Sequence, residues 1–468
     1  MTAVPLPITS MPGRHPQESS GRLVNCYAEP LGTGSRSRLV IRRAPGLKAF
    51  GTSGGTGFRG AVLDGNTLYA AWDKVYSFSS SGGAGTLIGN LSGTSKAFLA
   101  KNNKEPDADI VIVVPGEGAF LISGGAIIDY TDSDVGQPNA VCFLDGYFFF
   151  TYGNAECIAS ALNDTAINPL DLATAEAKSD ALLRPVAFNE TLFLCGTDSI
   201  EVWSGNPPND TGFPFNRVTV IQPGLAGRYA IAGHEDGFGK ALLFVGSDNA
   251  VHMLNGYQPQ KVSPPDLDRL IEAVSDKDTL EATVCVSRGH AFWVLSCDDW
   301  TWAFDLNSGK WHERASYLLN RWRATQAVWA FGAWLCGDTE SGNLIQIDAA
   351  TQTEIGNPLK ATIESGAVAA FPTYASIARV DVDITVGVGV ATGTDPNQTD
   401  PTIEISCSRN GGVDFDNPRI VELGRQAIAN ERVYATRFGR SGAQGVQFRF
   451  EISDPVEFGL MAADVTAA

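Results

Sequence analysis

The chain has 468 residues, 44% of them hydrophobic, which is enough for several domains and a sizeable buried interior. Its 34 basic and 52 acidic side chains leave a net charge of −18, so no overall basic field draws it to nucleic acid. Fifty glycines and 24 prolines against only four methionines exclude a long helical protein, yet fall short of a disordered composition.

Residues 1–50 are rich in Pro, Gly and Ser with scattered arginines, and read as an N-terminal arm. Met1–Ser20 lacks the apolar stretch of a secretory signal, and no apolar run approaches the ~20 residues of a membrane span. A soluble product made in the cytoplasm is expected. The eight cysteines contain no C-x-x-C and sit in apolar runs, so they are expected as buried thiols in a reducing compartment.

From residue 51 one pattern returns: an apolar strand, a tight polar turn, an apolar-aromatic strand, then a third strand. It runs Arg59–Ala70 with Lys74–Phe78, returns at Ala140–Phe150, and again at Val186–Cys195 with Ser199–Trp203. Further copies are Leu242–Val245 with Ala250–Leu254, Val284–Val294 with Trp300–Asp305, and Ala327–Cys336 with Asn343–Ile347. Asp64-Gly65 and Asp145-Gly146 are hairpin signals, because such turns need positive φ. A period of roughly 40–50 residues matches propeller blades, and about six or seven fit before Gly366. The fold class expected is all-β: a β-propeller over residues 51–361, with aromatics of the second strands filling the spaces between sheets. Helical spacing is confined to Leu170–Lys178 and Pro265–Ala273, the latter opening on Pro and Asp. From Thr362, clean apolar-polar alternation (Ala378–Val386, Thr402–Ser406, Gly445–Ile452) predicts a C-terminal β-sandwich over residues 362–468.

Candidate chemistry is thin. Gly55–Gly60 spells G-x-G-x-x-G but lacks the following helix that a dinucleotide site requires, and reads as a linker. The five histidines stand apart; His234-Glu235-Asp236 reads as a polar loop tip before a metal ligand or base. Asp132-Ser133-Asp134 lacks the Gly and distal Glu of a calcium loop. Ser408–Phe415 looks like a sialidase Asp-box with Asn410 and Asp414 out of pattern, and reads as a hairpin device. No catalytic, cofactor or metal residue is nominated, and a non-enzyme is expected. The competing reading is a propeller glycoside hydrolase or glycan-binding tail protein. It predicts Asp, Glu and Arg clustered at the propeller mouth, and notes Asp298-Asp299 beside Trp300 and Trp302.

Several segments together resemble one family. These are Leu23–Pro30 followed by Arg42–Leu47, then Leu192–Trp203, then Ile221–Gly227. Near the end come Glu431–Tyr434, Phe438–Arg440, Phe448–Phe450 and Ile452–Val456. In order and spacing they are similar to the packaged-DNA stabilisation (head-completion, tail-hub or nozzle) proteins of short-tailed phages; Tyr434 and Thr436 depart from that pattern. The resemblance implies a structural virion protein: a homo-hexameric ring below the portal adaptor, retaining packaged DNA and docking tail fibres, tailspikes or a needle. Genomic DNA would pass through the lumen without sequence-specific binding, an acidic wall letting it slide. It implies no cofactor, no membrane span, and assembly in the host cytoplasm into the phage tail. Arg42, Arg43, Arg321 and Arg323 are the candidate interface residues for an acidic neighbour.

Overall fold

Backbone chirality sets the frame. Two-residue hairpin loops match strand twist when both central residues take positive φ. Four first hairpins do this, at Asp145-Gly146, Asn189-Glu190, Arg288-Gly289 and Phe331-Gly332, with φ between 49° and 91°. At the first copy Asp64 pairs with Thr67 inside the ladder, so the turn is Gly65-Asn66 and not Asp64-Gly65. The computed structural model describes residues 2–175, 177–178, 180–205, 212–368, 374–428 and 430–467.

Chain contacts divide into two units. One comprises Ala49–Val286 and Arg323–Gln346. Its described residues form four-stranded antiparallel sheets laid down in sequence order, beginning at Gly60–Asp64, Phe98–Lys101, Ala140–Leu144, Leu182–Phe188 and Ile231–Ala232. A further sheet orders Ala324–Ala330, Ala333–Asp338 and Asn343–Asp348, and takes Gly46–Thr52 from the start of the chain beside its third strand. Period-2 alternation makes each sheet two-faced. In Tyr147–Thr151, Phe148 and Phe150 pack with Phe98, Val111 and Val113 of the preceding sheet. Phe149, between them, packs with Leu192, Leu194 and Phe215 of the following one. All three phenylalanines are fully buried, so second-strand aromatics do fill the inter-sheet spaces. Losing one such ring would cost about 3–5 kcal/mol.

The other unit comprises Met1–Lys48, Ser287–Trp322 and Ile347–Ala468. One sheet orders Cys26–Pro30, Leu39–Arg43, Gly459–Ala467, Ser376–Ile384 and Val433–Arg440. A second path runs Arg22–Val24, Ala361–Glu364, Gln447–Ile452, Thr402–Ser408 and Arg419–Glu422. Val380 and Val465 of the first sheet share one core with Ile403, Phe448 and Phe450 of the second.

Three sequence expectations change. Residues 1–50 do not hang as an arm: Leu23, Cys26, Ala28 and Ile41 are buried in that shared core. Five-residue strands between Gly, Pro and Ser carry too little alternation to announce themselves without their distant partners. Leu170–Thr174 belongs to a strand, Ile167–Thr174, paired with Glu156–Ser160 and not to a helix; Glu176 lies outside the described residues. An edge strand with its outer face in water has no need of apolar alternation, and tertiary pairing overrode local propensity. The sheet Phe98–Lys101, Ile110–Val114, Gly118–Ser123, Ala126–Asp129 was not among the predicted copies. Its first hairpin is joined by the long loop 102–109 where most of the predicted copies use two residues, which hides the repeat. Pro265–Ala273 is the helix expected.

Candidate functional site

In the first unit the leading strands of the sheets surround a cavity of about 560 Å³. Seven segments line it: Gly60–Leu63, Ala97–Lys101, Val141–Asp145, Arg184–Ala187, Ile231 with His234–Asp236, Ala282–Thr283 and Gln326–Trp329. Most of what they present is apolar or backbone. Two of the polar side chains come from departures from regular strand. The ladder slips between Leu182 and Arg184, and again between Thr325 and Val328 where Gln326 has φ 43°. Such bulges re-aim a side chain, and here they set Arg184 and Gln326 in the cavity wall.

Arg184 is buried, 9% exposed. One terminal nitrogen donates to the Arg228 carbonyl at 3.3 Å and the other lies 3.3 Å from His234 Nε2. Its guanidinium carbon sits 4.7 Å from the centre of the Phe98 ring, which itself stacks on Tyr229. Burial pulls its pKa down, opposed in part by the Glu235 carboxyl acting through space, and among the described residues no carboxylate lies within ion-pair distance of it. Because an arginine only donates, His234 Nε2 accepts and the ring proton stands on Nδ1. That Nδ1, the Nε of Arg184 and the Oε1 of Gln326 are buried without a hydrogen-bond partner among the described residues. Burial, reinforced by the Arg184 charge, drives His234 down to about 3, so it is neutral at pH 7. Glu235 accepts the Gly233 N–H at 2.6 Å. Burial nevertheless raises its carboxyl to about 7, leaving it poised between acid and carboxylate. Asp145 and Asp236 are exposed, and Lys101 is held 3.1 Å from Asp64. His234-Glu235-Asp236 is therefore no loop tip; only Asp236 reaches water freely, and the signal missed in the sequence was the buried Ile231-Ala232-Gly233 immediately before it.

The four nominated arginines each have a partner within the chain. Arg42 pairs with Glu29 across the hairpin. Arg43 is buried, donating to the carbonyls of Gln352, Asp454 and Ile452 at 3.2, 2.9 and 2.9 Å. Arg321 lies 3.8 Å from Asp298, and Arg323 grips Asp338 with two bonds of 2.8 and 2.7 Å. The Asp-box-like turn is structural: Ser408 Oγ accepts the Gly412 N–H at 2.8 Å, and Asn410 Oδ1 the Asp414 N–H at 3.0 Å. Asp132 caps a short turn and accepts the Ile167 N–H at 2.8 Å. Trp302 is packed against Trp311, not presented to solvent. Among the described residues no cluster of His, Cys, Asp and Glu could hold a metal, and no helix is long and apolar enough to cross a membrane.

A stack of small antiparallel sheets around a central cavity is the arrangement of a propeller. The family model Phage_stabilise, described as bacteriophage P22 Gp10, beta-propeller, matches residues 18–352. The chain belongs to that family. It is accordingly a phage structural protein of the tail and head-completion class. No curated protein matches it. Two solved structures resemble it at low identity. One is the computationally designed Ika8 protein, at 10% identity and TM-score 0.38, covering 68% of this chain and 96% of that one. The other is U3-55K, at 9% identity and TM-score 0.41, covering 65% of this chain and 100% of that one. At these scores neither likeness bears on the fold.

Proposed function

We propose that this chain is a tail-hub (nozzle) subunit of a short-tailed phage: a rigid, non-enzymatic ring component that extends the DNA channel, retains packaged genome and docks fibres, spikes or a needle. The observation that carries this reading is the family match over residues 18–352. Supporting it are the sheets that brace one another through fully buried aromatics, a construction suited to bearing load. We read the chain as carrying a seven-bladed propeller, because seven strand segments line one cavity, six from the sheets described above and the seventh from Glu281–Ser287. The two sheets sharing a core in the other unit are read as the β-sandwich. Six copies would form the ring beneath the portal adaptor, assembled in the host cytoplasm and carried in the virion. A net charge of −18 favours a lumen along which DNA slides without sequence-specific contact. The test is a phage with this gene interrupted. Filled heads should lose their DNA and lack the collar of subunits seen by electron microscopy of the wild type. Particles that keep their genome and infect normally would overturn the proposal.

A second reading has one observation in its favour. The cavity gathers Asp145, Arg184, Glu235 and Asp236, the residue types a propeller glycosidase uses. Release of reducing sugar from host surface polysaccharide by wild type, and not by Glu235→Gln, would establish it.

A further inference from the structure

The Arg184 guanidinium is a charge taken out of water without an ionic partner. Its neighbours are a backbone carbonyl, a neutral imidazole and an aromatic face. A buried ion in that setting is costly unless something compensates it. Glu235 acts on it through space without forming an ion pair, and compensates it only when ionised. His234 turns a donor, not a lone pair, away from Arg184, and its Nδ1 lies 3.9 Å from Glu235 Oε2, beyond hydrogen-bond reach. Both His234 and Glu235 keep part of their side-chain surface open, 24% and 19%, and both line the cavity with Arg184. One wall of a 560 Å³ space thus carries a buried cation with no carboxylate in ion-pair contact among the described residues.

We propose that this cavity binds a small oxyanion, a carboxylate or a phosphate group, seated against Arg184, His234 and Glu235. The ligand supplies the counter-charge that protonated Glu235 does not. The proposal goes beyond the structural role and rests on residues of this chain alone.

Binding is coupled to Glu235. The groups facing its carboxyl are the Arg184 guanidinium, neutral His234, the Gly233 N–H and exposed Asp236; Tyr229, Asp145 and the Lys101–Asp64 pair complete the charged and titratable lining. Protonated, Glu235 is a neutral donor to the oxyanion; ionised, it repels it. With its carboxyl near 7, the protonated fraction falls about tenfold between pH 6 and pH 8, and affinity falls with it. His234 stays neutral throughout that range.

Two probes whose own charge is constant over this range decide the question by calorimetric titration of the full-length protein. Glucuronate represents a carboxylate source and sulfate a phosphate-like one. Saturable binding of either probe at pH 6, about tenfold weaker at pH 8, is expected. Preference for glucuronate assigns a carboxylate ligand; preference for sulfate assigns a phosphate ester. Glu235→Gln should lose the pH dependence, and Arg184→Gln should abolish binding. If Arg184→Gln does not fold, the Glu235→Gln comparison alone decides. No saturable binding of either probe at pH 6, equal affinity at pH 6 and pH 8 in wild type, or undiminished binding by folded Arg184→Gln would overturn the proposal.

Discussion

Replacing Arg43 with Met keeps the unbranched apolar stem of the side chain and removes its donors. The wild-type guanidinium serves three carbonyls, those of Gln352, Asp454 and Ile452, and stands 5.5 Å from the centre of the Phe458 ring. Burial lowers its pKa, yet only to about 10, so it is charged at neutral pH. Each bond from a charged donor is worth about 1.5 kcal/mol or more, a gross loss of about 4–5 kcal/mol for three. Relief from holding a charge out of water returns part of that, so a net loss of about 3 kcal/mol is expected. In a unit of this size that lowers the melting temperature by about 6–12 °C. Differential scanning calorimetry reads it directly, and limited proteolysis should show Met1–Lys48 released first. The reasoning fails if the variant melts with the wild type; failure to join the tail without loss of stability would restore Arg43 as a docking residue.

Two further outcomes test the account of turns and of charge. Glu190 is exposed with φ 57° in a turn that favours glycine, so Glu190→Gly should stabilise the protein by about 1 kcal/mol; a lower denaturation midpoint would refute the strain argument. Asp305 accepts a bond from His290 Nδ1 at 2.9 Å, and this bond raises the imidazole above its ordinary 6.5. Burial pushes the Asp305 carboxyl up, but bonds from His290 and Ser308 outweigh it and hold it below the usual range. A raised histidine contributes stability that is complete below 6.5 and is lost as pH rises through its folded value; the lowered carboxylate loses its share only at acid pH. Asp305→Asn should therefore cost more stability at pH 5.5 than at pH 8.5 in urea unfolding. An equal cost at both would show that the pair is not charged in the fold.

Legibility followed the range of the interactions. The hairpins at Ala140–Thr151 and Leu182–Gly196 announced themselves because alternation and turn chemistry are local, spanning a dozen residues. The sheet begun by Phe98–Lys101 escaped because its first two strands are separated by the long loop 102–109 and not by a two-residue turn. The roles of the arginines were not legible at all. Arg42 and Arg43 are neighbours in sequence, yet strand alternation turns one to the surface beside Glu29 and the other into a carbonyl cage. Arg184 was passed over because nothing in Leu-Leu-Arg-Pro-Val marks a ladder slip, and its significance depends on which carboxylates fail to reach it.

The amino-acid order alone determined that this protein is built of β-strands in repeated hairpins, and that a phage structural family was the kin to expect. Both are properties of short windows, where side-chain period and turn residues act on their immediate neighbours. Tertiary structure alone decided that residues 22–43 complete a sheet with strands more than three hundred residues away. It alone decided that an unpaired guanidinium, a neutral histidine and a poised carboxyl share one cavity wall. Burial and charge compensation are set by what surrounds a group in space, and no local pattern encodes that.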